Sequence, residues 1–137
     1  MNKLHVLLLE DDQIEVIKFT RALTKLEMQH HITVKSDGAE ALEYLAETTT
    51  LPHIILLDLN MPKIGGIDFL KAIKQDARLK YLPAIVMTTS NHSPDIKSCY
   101  EIGVAGYLVK PLKYEDYVSR ISAILNYWVV NELITPQ

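Results

Sequence analysis

Leu7-Leu8-Leu9-Glu10-Asp11-Asp12 is an apolar run that ends abruptly in three consecutive acids. A second run, Ile54-Ile55-Leu56-Leu57-Asp58, repeats the pattern and closes on a single acid. Short uninterrupted apolar runs suit strands of a parallel sheet buried on both faces. Side by side, two such strands bring their carboxylates to one edge of the sheet, the edge where open α/β folds bind ligands. The pair predicts an acidic pocket for a divalent cation, built around one reactive aspartate.

The rest of the chain fits that frame. Leu4 to Leu9 reads as the first strand. Asp12-Gln13-Ile14-Glu15 has the form of a capping box, with Asp12 as N-cap and Glu15 reaching back. Val16, Phe19, Leu23 and Leu26 then recur at helical spacing. Ile32 to Lys35 is a polar-alternating outer strand, Asp37-Gly38 a turn, and Ala41, Leu42 and Leu45 the buried side of a second helix that breaks at Thr48 to Pro52. After Asp58, the loop Leu59 to Gly66 leads to a helix carrying Phe69, Leu70 and Ile73. Ala84 to Met87 is a fourth strand, and Ser93-Pro94-Asp95 a helix start with serine as N-cap. Gly103 stops that helix, Gly106 to Val109 is a fifth strand, and a last helix runs from Tyr114 to Val130. Strand and helix alternate five times, which implies right-handed crossovers and a parallel sheet covered on both faces.

Composition narrows the class. A chain of 137 residues with 48% hydrophobic residues makes one soluble domain, and a net charge of -3 offers no field for nucleic acid or an anionic membrane. The apolar runs are too short to span a bilayer, and the first residues do not form a signal peptide. Cys99 is the sole cysteine, which fits a reducing, cytoplasmic setting.

Four strands end in chemically useful residues: Glu10-Asp11, Asp58, Thr88 and Lys110. Like-charged carboxylates ~5 Å apart at an effective dielectric of about 20 repel by roughly 3 kcal/mol per pair, so the cluster must hold a proton or bind a cation. Oxygen-only ligation favours Mg²⁺ or Mn²⁺ over zinc. Glu10 and Asp11 form the metal-holding pair, with the Asn60 backbone carbonyl able to complete the shell. Asp58 stands alone as the nucleophile of an aspartyl phosphate. The Lys110 ammonium and Thr88 hydroxyl supply a cation and a donor for a phosphoryl group.

Glu10-Asp11, Asp58-Leu59-Asn60-Met61-Pro62 with Gly66, Thr88-Thr89-Ser90 and Tyr107-Leu108-Val109-Lys110-Pro111 resemble the motif set of the response-regulator receiver domain, in order and spacing over nearly the whole chain. The resemblance implies a flavodoxin-like, doubly wound (βα)5 sheet with strand order 2-1-3-4-5. It implies a receiver over 1–130 and a short extension over 131–137, with no output domain. Asp58 would accept phosphate from a histidine kinase. Glu10, where receivers more often have aspartate, Asp11, Asp58 and the Asn60 carbonyl would bind Mg²⁺. Thr88, Thr89, Asn60 and Lys110 would contact the phosphate, and the Lys110–Pro111 peptide would be cis. Thr88 and Tyr107 would switch the face made by the fourth helix, fifth strand and fifth helix, and Asn60 and Ser90 would tune the phosphorylated lifetime. The protein would be no enzyme beyond catalysing its own phosphorylation and dephosphorylation.

Within that family, Met87 to Ser90 and the ending Asn126-Tyr127-Trp128-Val129-Val130 are similar to the small receivers that partner bacterial phytochromes. That similarity implies a homodimer through the switch face, with Tyr127 and Trp128 at the interface.

Other polar residues take structural roles. Asp12 caps a helix, Asp37 and Asp68 are turn and surface acids, Cys99 fills the core, and the five histidines lie off the acidic site. A rival reading is a small Mg²⁺-dependent aspartyl-phosphate phosphatase or phosphotransferase of the haloacid-dehalogenase type. Such enzymes carry a second aspartate two residues after the nucleophile as general acid, and here that position is Asn60. A flavodoxin-like electron carrier fails for want of a Gly/Ser/Thr-rich phosphate loop after the first strand.

Overall fold

The two apolar runs lie next to each other as neighbouring parallel strands. The structure, a computed structural model, describes residues 3–134. Strands β1 (His5–Leu9), β2 (His31–Lys35), β3 (Ile54–Leu57), β4 (Ala84–Thr88) and β5 (Gly106–Val109) form one parallel sheet in the order β2-β1-β3-β4-β5. Helices α1 (Gln13–Lys25), α2 (Gly38–Glu47), α3 (Gly66–Gln75), α4 (Ser93–Ile102) and α5 (Tyr114–Val129) alternate with them.

Alternate side chains of each inner strand serve opposite layers, which is why β1 and β3 are apolar without interruption. Val6, Leu8, Ile54, Leu56, Ile85 and Met87 pack against Phe19 and Leu23 of α1 and Tyr117 and Ile121 of α5. Leu7, Leu9, Ile55, Leu57 and Val86 pack against Leu45 of α2, Phe69 and Leu70 of α3, and Cys99 of α4. Burying a Leu or Ile side chain contributes about 1.5–3 kcal/mol, so these two layers dominate the stability. Among the described residues, no helix is long and apolar enough to cross a membrane.

Local chemistry sets the boundaries. Asp12 accepts the Ile14 N–H at 2.9 Å and starts α1, and Asp37 accepts the Glu40 N–H at 2.8 Å and starts α2. Asp37 is more than a turn residue, because it is 3% exposed. Gly103 ends α4 in the left-handed region at φ 115°.

Two helix starts differ from expectation. His92, not Ser93, is the N-cap of α4, so Ser93 and Pro94 are already helical. Glu15 does not close a capping box. The Asp12 N–H instead donates to Glu10 Oε2 at 3.4 Å, and Glu15 turns toward Lys110.

Candidate functional site

Register builds the site. Leu9 of β1 pairs with Leu57 of β3, so the next residues, Glu10 and Asp58, leave the sheet side by side. Thr88 ends β4 opposite Val109 of β5, and the Lys110 N–H then donates to the Thr88 carbonyl at 2.7 Å. Four strand ends therefore deliver a carboxylate pair, a hydroxyl and an ammonium to one place.

Donors converge on Asp58. The Thr88 hydroxyl donates to Asp58 Oδ1 at 2.8 Å and the Asn60 N–H to the same oxygen at 3.0 Å. Lys110 Nζ donates to Asp58 Oδ2 at 3.2 Å and to Glu10 Oε1 at 2.7 Å. Burial pulls the Lys110 ammonium down, but its hydrogen bond to Glu10 and the charges of Glu10, Asp58 and Glu15 hold it above the ordinary lysine value. Burial raises the Glu10 carboxyl, against the opposing pull of Lys110. One charged and two neutral donors around a carboxylate suit a phosphoryl acceptor, since each can later face a phosphoryl oxygen.

The donor set also fits a hard cation. Glu10 is buried and Asp58 half-buried, while Asp11 is exposed at the mouth. Among the described residues, no three acidic, histidine or cysteine side chains converge as a metal cage. Mg²⁺ asks for none: it takes one or two carboxylates, a carbonyl and several waters. Glu10, Asp11, Asp58 and the Asn60 carbonyl are the groups that would hold it.

The flanking residues are tied together by hydrogen bonds. Tyr107 is half-buried and its hydroxyl donates to the Ser90 carbonyl at 2.8 Å; burial raises its phenol. The Ser90 hydroxyl donates to Asp95 Oδ2 in the first turn of α4 at 2.7 Å. Thr89 is exposed beside Thr88. No peptide bond among the described residues is cis, so Lys110–Pro111 is trans, contrary to expectation. The Val109 carbonyl just before it accepts from the Arg120 guanidinium at 2.9 Å, and the Lys110 N–H continues the β4 ladder, so a trans peptide already seats Lys110.

Tyr127 and Trp128 meet edge to face, their ring centres 5.0 Å apart, but differ in burial. Tyr127 is 58% exposed, whereas Trp128 is half-buried and packs on the layer of α1 and α5. Glu15, which lies 3.8 Å from Lys110 Nζ, escaped the sequence reading of the site. Its signal was present, because an acid in the first turn of α1 lies just past the acidic end of β1.

Residues 6–122 match the response regulator receiver domain. The chain belongs to the response-regulator receiver family. This receiver is 36% identical to the probable methanogenesis regulatory protein FilR2 of Methanothrix harundinacea, over 90% of this chain and 83% of that one. It is 33% identical to response regulator Rcp1 of Synechocystis, over 90% and 88% of the two chains. The structure of the phosphorylated cyanobacterial phytochrome response regulator RcpA superposes with a TM-score of 0.90 at 29% identity, covering 97% of the receiver and 99% of RcpA. The Mn²⁺-bound form of Rcp1 superposes at 0.86 and 30% identity, covering 98% and 99%.

Proposed function

We propose that this receiver takes a phosphoryl group from a histidine kinase onto Asp58, with Mg²⁺ or Mn²⁺ bound, and signals in the cytoplasm through a switched protein surface. The observation that carries the reading is the convergence of the Thr88 hydroxyl, Asn60 N–H and Lys110 ammonium on the Asp58 carboxylate. An Asp58 oxygen attacks the phosphorus of a phosphohistidine. The P–O bond forms as the P–N bond breaks, and the imidazole nitrogen leaves with the electron pair. Mg²⁺, when bound, offsets the negative charge gathered there. Lys110 holds the transferred group by charge, Thr88 by a hydroxyl bond and Asn60 by its N–H. The Mn²⁺-bound form of Rcp1 supports the cation.

A protein partner has an apolar surface to meet on α1 and the start of α5, where Ile14, Ile17 and Tyr114 line one hollow. Ile14 is 75% exposed, Ile17 50%, Tyr114 37%, and Leu112 fully exposed. Apolar groups clustered like this mark contact sites. Likeness to RcpA supports a phytochrome-type kinase. Output runs from Thr88 through Ser90 and Tyr107 to α4, β5 and α5, where Tyr127 stands exposed as a contact for a second copy.

The test is incubation with phosphoramidate and Mg²⁺, with chelator and with Asp58→Asn as controls. The wild-type protein gains one phosphoryl group that base and neutral hydroxylamine both release, as an acyl phosphate requires, and both controls prevent it. Uptake by Asp58→Asn at the wild-type rate would sink the reading.

A further inference from the structure

Glu15 enters the site from α1, an element outside the motif set. Its Oε1 lies 3.8 Å from Lys110 Nζ, behind the shorter contacts of that ammonium with Glu10 and Asp58. Its Oε2 is the one buried side-chain oxygen or nitrogen without a hydrogen-bond partner among the described residues. Lys18 Nζ stands 4.0 Å from Oε2, too far for a hydrogen bond, and lies over the Tyr117 ring instead, 4.3 Å from its centre. A void of about 10 Å³, lined by Glu10, Glu15, Asp58, Lys110 and Tyr117 among others, opens beside it. That is about the space of one water. A lysine ammonium has three donors, and Glu10 and Asp58 take two.

We propose that Glu15 is a positioning residue for phosphoryl transfer: it takes the third donor of Lys110, directly or through one water, and keeps the ammonium aimed at Asp58. The inference rests on the reading of Asp58 as phosphoacceptor. A divalent cation held by Glu10, Asp11 and Asp58 would weaken the hold of those carboxylates on Lys110 and repel the ammonium itself. Glu15 lies outside that set and stays available as counter-charge until the phosphoryl group arrives. A purely structural role, an acid in the first turn of α1 facing the helix dipole, acts without Lys110.

Glu15→Gln keeps the shape and removes the charge, and two readouts separate the roles. In metal-free protein, ¹⁵N NMR of lysine ammonium groups shows a protected, slowly exchanging Lys110 signal, which Glu15→Gln shifts and exposes to faster exchange; an unchanged signal overturns the proposal. With saturating Mg²⁺, Glu15→Gln slows uptake from phosphoramidate by about tenfold, the scale of a misaligned catalytic group. In a Lys110→Met background the same change alters the rate by less than about twofold, as a shared pathway requires. Equal slowing in both backgrounds, or none in the wild-type background, overturns the proposal. Failure of wild-type protein to label at all refutes the phosphoacceptor reading instead, and the ammonium signal still decides whether Glu15 holds Lys110.

Discussion

The Lys110 ammonium and the Glu10 carboxylate meet at 2.7 Å across 100 residues of chain, both nearly sealed from solvent. Each came to the edge because its strand ended there, and each neutralises a charge the fold could not otherwise bury. Removing one partner leaves the other unpaired, the expensive case for a buried ion pair. Lys110→Met lowers the unfolding free energy by about 3 kcal/mol in urea titrations without metal. Mg²⁺ recovers part of the loss by replacing the missing cation. An unchanged midpoint would show that Glu10 is solvated.

Thr88 is fully buried and spends its hydroxyl on Asp58. Thr88→Ala lowers stability by about 1 kcal/mol, the net worth of one such bond. Its larger effect falls on signalling: phosphorylated Thr88→Ala leaves the NMR shifts of Tyr107 and α4 at their resting positions. Thr88→Ser keeps the hydroxyl and the response.

Two glycines lock the loop that carries Asn60. A Cβ on Gly66 would stand 2.8 Å from Leu59 Cα, and one on Gly38 would stand 2.6 Å from the Ile64 carbonyl oxygen. Both neighbours are backbone and cannot swing aside. Alanine in a helix gains up to ~1 kcal/mol over glycine, but the forced shift costs about 1–3 kcal/mol and wins. Gly66→Ala and Gly38→Ala therefore lower the melting temperature and weaken Mg²⁺ binding. Gly106→Ala meets only the Ile85 side chain at an ordinary 3.6 Å and serves as the mild control.

Histidines tie down the other end of β1. His30 Nδ1 accepts the Leu4 N–H at 2.9 Å, and His53 Nδ1 accepts the His5 N–H at 2.7 Å, so both rings must be neutral at that nitrogen. Burial lowers His30, His53 and His5, the last with help from the charges of His31 and His53. Below the ordinary value of 6.5 the unfolded chain takes up protons that the folded one resists. This part of the stability is fully present above pH 6.5 and is lost as pH falls from there through the lowered folded values. Urea midpoints fall between pH 7.5 and 5.5 in wild type. The slope flattens in the His30→Asn, His53→Asn double variant, where the amide oxygen accepts the same N–H groups without taking a proton.

The sheet and its order were legible because β1, β3 and β4 are apolar on both faces, and only a parallel sheet between two helical layers buries such strands. Glu10, Asp58, Thr88 and Lys110 were legible because each ends a strand or follows one directly, so register alone brings them together. Glu15 was misassigned because Asp-x-x-Glu satisfies a local rule, the capping box, while the buried Lys110 exerts a stronger pull from 95 positions away in the numbering. The burial of Asp37 was hidden for a similar reason, since its cover, the loop at Lys63 and Ile64, is remote in sequence. Tyr127 and Trp128 read as a pair and their rings do meet, but adjacent helical residues leave the axis about 100° apart, so Trp128 is half-buried against the core while Tyr127 stays exposed.

The chemical identity of residue 58 after reaction tests the central claim most directly. Protein treated with phosphoramidate and Mg²⁺, then reduced with borohydride to convert an acyl phosphate to its alcohol, is digested and sequenced by tandem mass spectrometry. The account predicts homoserine at position 58 alone. Reduction at Glu10 or Asp11, or an unmodified Asp58 in labelled protein, would contradict it.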